Sequence, residues 1–252
     1  MSIESQDDLD GLTRAGQVVA LAVAAMRRSV RPGMSTKELD DIGACVFRHH
    51  GARSAPQLVY GFPGVNCISL NDEAVHGIPS NRRFIARGDL VKIDVTAELD
   101  GYMADAAVTV EAGSWTPEKQ RLIRAAASAL GRGLRAARAG ATSGNVGRAI
   151  GSEVASRGYS PIPELGGHGI GRTIHEAPSI PNYADPDATS ELTEGLVVTV
   201  EPIITSGIGR VRPSRDGWTL PTADGRLSAH VEHTIVVTRE RPLVLTRLRA
   251  AA

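Results

Sequence analysis

The chain has 252 residues with 28 basic and 28 acidic side chains, formally neutral, and is long enough for one large domain or two small ones around a substantial core. No block of like charge is long enough to suggest a nucleic-acid tail, and the longest apolar run, residues 18–26, falls far short of a membrane span. Two cysteines, Cys45 and Cys67, imply no disulfide framework, and the acidic start at residues 1–8 lacks the basic-then-apolar pattern of a secretory signal, so a reducing cytoplasm is the expected compartment.

In chain order, Val18, Val19, Ala22, Val23 and Met26 recur at helical spacing and predict a helix over 11–28, ended by Arg31-Pro32-Gly33. Ser35 followed by Glu38 is a capping-box start for a second helix over about 36–50, which Gly51 closes. A loop-rich section follows, with Pro56, Gly61, Pro63, Gly64, Gly77 and Pro79 scattered through it. Then Leu90-Val-Lys-Ile-Asp94-Val predicts a buried strand with a carboxylate in its interior, which is costly to bury unless a partner or a metal compensates. A tight turn at Asp100-Gly101 folds the strand back on itself and brings Asp105 toward Asp94.

After Thr116-Pro117 the pattern begins again. An Ala/Leu/Arg helix runs to about Arg138, Thr142 opens another, and Gly158 ends it. Positions 31 and 138, 35 and 142, 51 and 158, 88 and 195, and 94 and 201 all differ by 107, which implies two copies of a helix–helix–loop–strand unit closing around a pseudo-two-fold axis. The second copy should therefore carry acids of its own. Glu201 ends the apolar run 196–200, and Glu232 sits in Ala-His-Val-Glu-His-Thr-Ile-Val-Val. Each half also has a His-x-x-Pro before its acidic strand, at His76 and His175.

Four carboxylates at one buried locus would repel strongly, and two divalent cations would remove that penalty. Oxygen-dominated ligation suits Mn, Fe, Co or Zn, and Gly166-Gly-His168-Gly-Ile-Gly171 offers a nitrogen ligand whose flanking glycines leave the backbone free to bend. A paired-metal centre lowers the pKa of water and clamps both reacting oxygens, which is equipment for hydrolysis. Taken singly, Asp94 is more often an ion-paired or hairpin residue, whereas His168, which could be a simple turn residue, is better read as a metal ligand. Joined by the repeat, the acids favour a metal site. His49, His50, His230 and His233 are read as structural or exposed, and the Arg-rich end, 239–249, as a solvated surface.

His76-Gly-Ile-Pro, Lys92-Ile-Asp94-Val, Gly167-His168-Gly-Ile-Gly-Arg, His175-Glu-Ala-Pro, Val200-Glu201-Pro and Glu232-His-Thr-Ile-Val-Val together resemble a type I (bacterial-type) methionine aminopeptidase, in order, from about residue 10 to 240. The resemblance implies the pita-bread fold, an α/β (α+β) arrangement of two pseudo-symmetric helix–helix–strand halves (about 10–115 and 116–245) with a central antiparallel sheet, forming one catalytic domain over 1–252. It implies Asp94, Asp105, His168, Glu201 and Glu232 as ligands of two divalent metal ions, with Asp105 and Glu232 shared between them. Glu201 would also act as general base and proton shuttle, His76 would contact the scissile amide, and His175 would donate to the oxyanion. Phe62, Cys67 and Trp218 fall where the family builds its methionine pocket. Ile174 replaces an aromatic residue common in relatives, and Phe62-Pro-Gly-Val lacks the Lys-Ser that often follows the proline.

The implied activity is removal of initiator methionine from peptides and nascent chains with a small second residue. The implied enzyme is a cytoplasmic monomer that needs neither nucleic acid nor membrane and meets its substrates at the ribosome. The alternative is an X-Pro peptidase of the same fold, which usually carries a sizeable N-terminal domain, whereas about ten residues precede the first predicted helix here. The type II methionine enzymes insert a helical segment between their last two acids, and the Glu201–Glu232 interval is too short for it. A non-catalytic binding protein of this fold would be expected to break the ligand set, which here is complete.

Overall fold

Ser5 starts the first helix by accepting a hydrogen bond from the Asp8 N–H, with Asp7 and Asp8 in the first turn, where the helix dipole favours negative charge. In this computed structural model, which describes residues 1–248, that helix (α1) spans Gln6–Ser29. It begins ahead of the predicted Gly11 because the cap lies upstream of the apolar stripe. Leu12, Ala15, Val19, Ala22 and Met26 are fully buried along α1, each of the larger ones contributing roughly 1.5–3 kcal/mol. By length and mean hydropathy α1 could cross a membrane, but half of its apolar window is buried against the neighbouring strands and helix, which accounts for its composition.

The second helix, α2 (Thr36–His50), has both halves of its capping box and ends at Gly51 with φ 71°. A short helix, α3 (Ala55–Tyr60), follows. The strands Leu90–Leu99 and Tyr102–Glu111 pair without a break from Leu90↔Glu111 to Leu99↔Tyr102. Asp100 (φ 53°) and Gly101 (φ 81°) form the two-residue turn between them, both left-handed as a type I′ turn requires. Downstream come α4 (Pro117–Ala136), with proline in its first turn, and α5 (Ser143–Ser156), whose capping box pairs Thr142 with Asn145.

Backbone hydrogen bonds recur 107 residues apart. Gly33 N donates to Ile85 O at 2.8 Å, and Gly140 N to Leu192 O at 3.0 Å. Thr36 N donates to Arg83 O, and Ser143 N to Ser190 O, both at 2.8 Å. Gly88 and Gly195 share a left-handed φ, 88° and 87°. One apolar core lies beneath α1 and α2, built on Val91, Ile93, Val95 and Ala104. A second lies beneath α4 and α5, built on Val198, Val200, Ile204 and Ile235.

The hairpin sheet includes Cys67–Leu70, and a five-stranded sheet in the other half includes Gly167–Gly169, Val197–Val200 and His233–Val236; the pairings within both are antiparallel. The hairpin meets the second half of the chain along a seam where threonine hydroxyls take the place of ladder bonds. Thr234 Oγ1 accepts from Asp105 N (2.8 Å) and donates to Asp105 O (2.7 Å). Thr109 Oγ1 does the same for His230 N (2.9 Å) and O (2.7 Å), and Glu232 N donates to Ala107 O at 3.0 Å between them. The pairs 105/234, 107/232 and 109/230 run in antiparallel register, so the seam carries acids of both halves to one place.

Of the Arg-rich C-terminal stretch, Arg239, Arg241 and Arg247 are exposed and Arg249 lies outside the described residues. Leu245 and Thr246 depart from a solvated surface: both are buried, because Leu245 N donates to Thr234 O at 3.0 Å and Thr234 N to Thr246 Oγ1 at 3.2 Å, sealing the back of the seam.

Candidate metal centre

The ladder places the first pair of acids. Thr96 lies opposite Asp105 and Asp94 opposite Ala107, so Asp94 and Asp105 project from one face as diagonal neighbours. Their carboxyl groups are close enough to perturb each other's pKa. Cys67 stands opposite Asp94 on the adjoining strand and therefore points to the same side.

From the other half, Thr199 organises His168 and Glu201. Its hydroxyl accepts from His168 N and donates to Glu201 Oε1, both at 3.1 Å. His168 Nδ1 lies 2.9 Å from Gly169 O, and a carbonyl only accepts, so the neutral imidazole carries its proton on Nδ1 and presents a bare Nε2 to Glu201 Oε1 at 3.3 Å. His168 lies on a short strand, and its glycines serve close packing. A Cβ at Gly167 would sit 2.4 Å from Thr199 O, and one at Gly169 2.2 Å from Ala177 O.

His230 corrects the sequence reading, which left it as structural or exposed. It is 2% exposed, with Nε2 3.4 Å from Glu201 Oε2 and 3.7 Å from Glu232 Oε2, and it lines the same cavity as the acids. The available signal was alternation: His230 lies two residues before Glu232, on the same side of an extended segment, whereas His233 falls on the other side and hydrogen-bonds Thr246 Oγ1 at 2.9 Å. His49 and His50 stack edge-to-face on the surface at the end of α2.

The electrostatics are those of acids forced together. Burial and the neighbouring Asp94 and Glu201 push Asp105 well above the usual carboxylate range. Burial and Asp105 do the same to Glu232, and burial raises Asp94. Burial also acts to raise Glu201, but the Thr199 hydroxyl and the His230 and His168 rings in their protonated forms act the other way and hold its pKa down. Asp105 Oδ1, Glu232 Oε1 and both His230 ring nitrogens are buried without a hydrogen-bond partner. Ligand atoms of Asp105, His168 and Glu232 lie within 4.8 Å of one another, as do those of Glu201, His230 and Glu232. Crowded carboxylates, orphaned oxygens and a lone-pair imidazole fit a divalent cation.

All ten residues singled out in the sequence line one cavity of about 260 Å³. Phe62 and Trp218 meet edge-to-face at 5.2 Å, and Cys67, Val75, Ile174 and Ile203 complete the apolar wall. Burial raises the Cys67 thiol well above its ordinary pKa, so it stays neutral. His76 follows the strand Glu73–Val75 in a left-handed conformation (φ 59°), and burial lowers its pKa. His175 sits 4.1 Å, ring to ring, from His168, and loss of water together with that neighbour lowers its pKa to about 4. Its Nδ1 lies 2.6 Å from the hydroxyl of Tyr60, at the end of α3. Tyr60 was not singled out because nothing in the loop-rich section ties it to His175, 115 positions away.

A sequence model of metallopeptidase family M24 matches residues 10–239. Methionine aminopeptidase 2 of Bacillus subtilis is 44% identical over 249 residues, 98% of this chain and 100% of that protein. Methionine aminopeptidase of Aquifex aeolicus is 37% identical over 258 residues, with 98% of this chain and 100% of that protein covered. Among solved structures, methionine aminopeptidase from Thermotoga maritima superposes with a TM-score of 0.94 at 33% identity, covering 98% of this chain and 100% of that one. Prolidase from Pyrococcus furiosus superposes at 0.79 with 23% identity over 98% of this chain and 66% of its own, a likeness of fold alone.

Proposed function

Because the chain belongs to metallopeptidase family M24, we propose that it removes the N-terminal methionine from peptides and nascent proteins whose second residue is small. The observation that carries this reading is the convergence of Asp94, Asp105, His168, Glu201 and Glu232 on one small cavity that apolar and aromatic side chains also line. Near-full-length similarity to proteins named methionine aminopeptidase supports the choice of substrate. The chain acts as one catalytic unit over 1–252, its two halves (about 10–115 and 116–245) each supplying acids, and works as a monomer in the cytoplasm on N-termini emerging from the ribosome.

Two divalent ions of the Co, Mn, Fe or Zn class, held by Asp94, Asp105, His168, Glu201 and Glu232, would offset the clustered negative charge and make water acidic enough to attack an amide at neutral pH. The remaining chemistry belongs to the side chains. Glu201, whose Oε1 accepts from the Thr199 hydroxyl at 3.1 Å, takes the proton of the attacking water and returns it to the leaving amine. Burial raises the Tyr60 pKa, so its hydroxyl stays protonated and donates to His175 Nδ1. The neutral His175 ring then carries its proton on Nε2, free to donate to the oxyanion. His76, neutral for the same reason, contacts the scissile amide. Phe62, Trp218 and Cys67 hold an unbranched thioether side chain through edge and sulfur contacts.

The deciding experiment compares metal-dependent cleavage of Met-Ala-Ser with cleavage of an X-Pro peptide. Rapid release of methionine and negligible X-Pro hydrolysis are expected. The reverse result would overturn the reading.

A further inference from the structure

We propose that His230 is a second imidazole ligand of the metal centre, grouped with Glu201 and Glu232, so that each of the two ion positions carries one nitrogen. This rests on the metal-centre reading above and deepens it.

Glu201 is flanked on both sides. Its Oε1 faces His168 Nε2 at 3.3 Å, and its Oε2 faces His230 Nε2 at 3.4 Å. Glu232 belongs to both clusters: Asp105–His168–Glu232 and Glu201–His230–Glu232. An imidazole nitrogen and a carboxylate oxygen, each about 2.1 Å from a common ion, stand about 3.0 Å apart at a right angle and about 3.4 Å at a tetrahedral one. The His230 distances of 3.4 and 3.7 Å are therefore edges that a coordination polyhedron can have, and they exceed the usual range of about 2.7–3.2 Å for N–H···O hydrogen bonds.

The ring itself shows the need. His230 is 2% exposed, yet neither nitrogen has a hydrogen-bond partner, and buried polar atoms are otherwise nearly always paired. Its backbone is clamped on both sides by Thr109 Oγ1, at 2.9 and 2.7 Å, so the ring is aimed into the cavity by the seam and not by contacts of its own. His168 has its tautomer set by Gly169 O. His230 Nδ1 has no such partner, so Nε2 is free to be the lone-pair nitrogen. A second imidazole shifts the site toward Zn, Fe or Co and away from Mn, which prefers oxygen.

The test titrates the metal-free full-length protein with Zn(II) while recording ring ¹⁵N resonances with all seven histidines labelled. Both His168 and His230 are expected to show the coordination shift of Nε2. In parallel, Co(II) and Mn(II) titrations of the wild type and His230→Gln are read by visible absorption and calorimetry. The variant is expected to lose Co(II) affinity at one site by at least about tenfold, to change the Co(II) spectrum, and to narrow the preference for Co(II) over Mn(II). A His230 resonance that stays unmoved while His168 shifts overturns the proposal, as do superimposable titrations of a folded variant. The wild-type spectrum decides the matter even where the variant fails to fold. Since no substrate is present, absence of methionine release would count against the proposed reaction and leave this result standing. A protein that binds no metal at all would overturn both.

Discussion

Replacing Thr234 by valine should loosen the seam that carries the acids, although the Thr234 hydroxyl bonds the Asp105 backbone and not the carboxyl group. Its hydroxyl ties Asp105 N (2.8 Å) and Asp105 O (2.7 Å) to its own strand, and the residue is fully buried. Valine keeps the shape and removes both bonds, which leaves a buried N–H and C=O unpaired at about 1–3 kcal/mol each. Allowing for partial relaxation, the metal-free protein should lose about 3 kcal/mol, a drop of roughly 6–12 °C in Tm for a chain of this size. Asp105 then drifts from the cavity, and metal affinity should fall by about 10–100-fold, as when a supporting group of a metal ligand is lost. Urea unfolding of the metal-free protein gives the first quantity and a calorimetric metal titration the second. Thr234→Ser, which keeps the hydroxyl, should recover most of both. A valine variant with wild-type midpoint and wild-type affinity would refute the argument that the seam positions Asp105.

Glu201→Gln should keep the fold but lose turnover by about 10²–10⁴-fold or more, measured as methionine release at saturating metal, since it removes a proton acceptor as well as a ligand. Tyr60→Phe should leave KM for Met-Ala-Ser nearly unchanged and lower kcat about tenfold or more, because the His175 tautomer is no longer set by the hydroxyl 2.6 Å away. Gly169→Ala should abolish activity and destabilise the chain by roughly 2 kcal/mol or more, since its Cβ would meet Ala177 O at 2.2 Å and backbone must move. Lys92 is fully buried and donates to Asn71 O at 2.6 Å, and burial lowers its pKa from 10.5 to about 7. Below about pH 7 the ammonium is charged in both states and its burial opposes folding. Between about 7 and 10.5 the folded chain has shed a proton that the unfolded chain keeps, so stability rises with pH. The urea-unfolding difference between wild type and Lys92→Met should therefore shift in favour of the wild type across that window, and a flat difference would contradict the assignment.

Much of the architecture was legible because its causes are local. The Ser35–Glu38 capping box, the Asp100-Gly101 turn and the left-handed glycines at 88 and 195 are set by residues within a few positions of one another. The 107-residue register survives as matching hydrogen bonds at 33/85 and 140/192, since the same cap and turn chemistry recurs. The acids stood out for a related reason: a carboxylate within an apolar strand is conspicuous wherever the strand ends up.

What the tertiary structure alone decided is which groups meet across the seam between the halves. The sequence could not show that Thr109 and Thr234 hydroxyls replace ladder bonds, because a buried threonine reads as ordinary strand filler until its partner strand is known. Nor could it separate His230 from His233: three residues apart in one chemical neighbourhood, they face opposite sides, one into the cavity and one toward Thr246. Tyr60 reaches His175 only because α3 packs near the strand that carries Asp94. Element type follows from short-range sterics and capping. The pairing of side chains more than a hundred positions apart follows from how the two halves pack together, and that packing register is written in no single stretch of the chain.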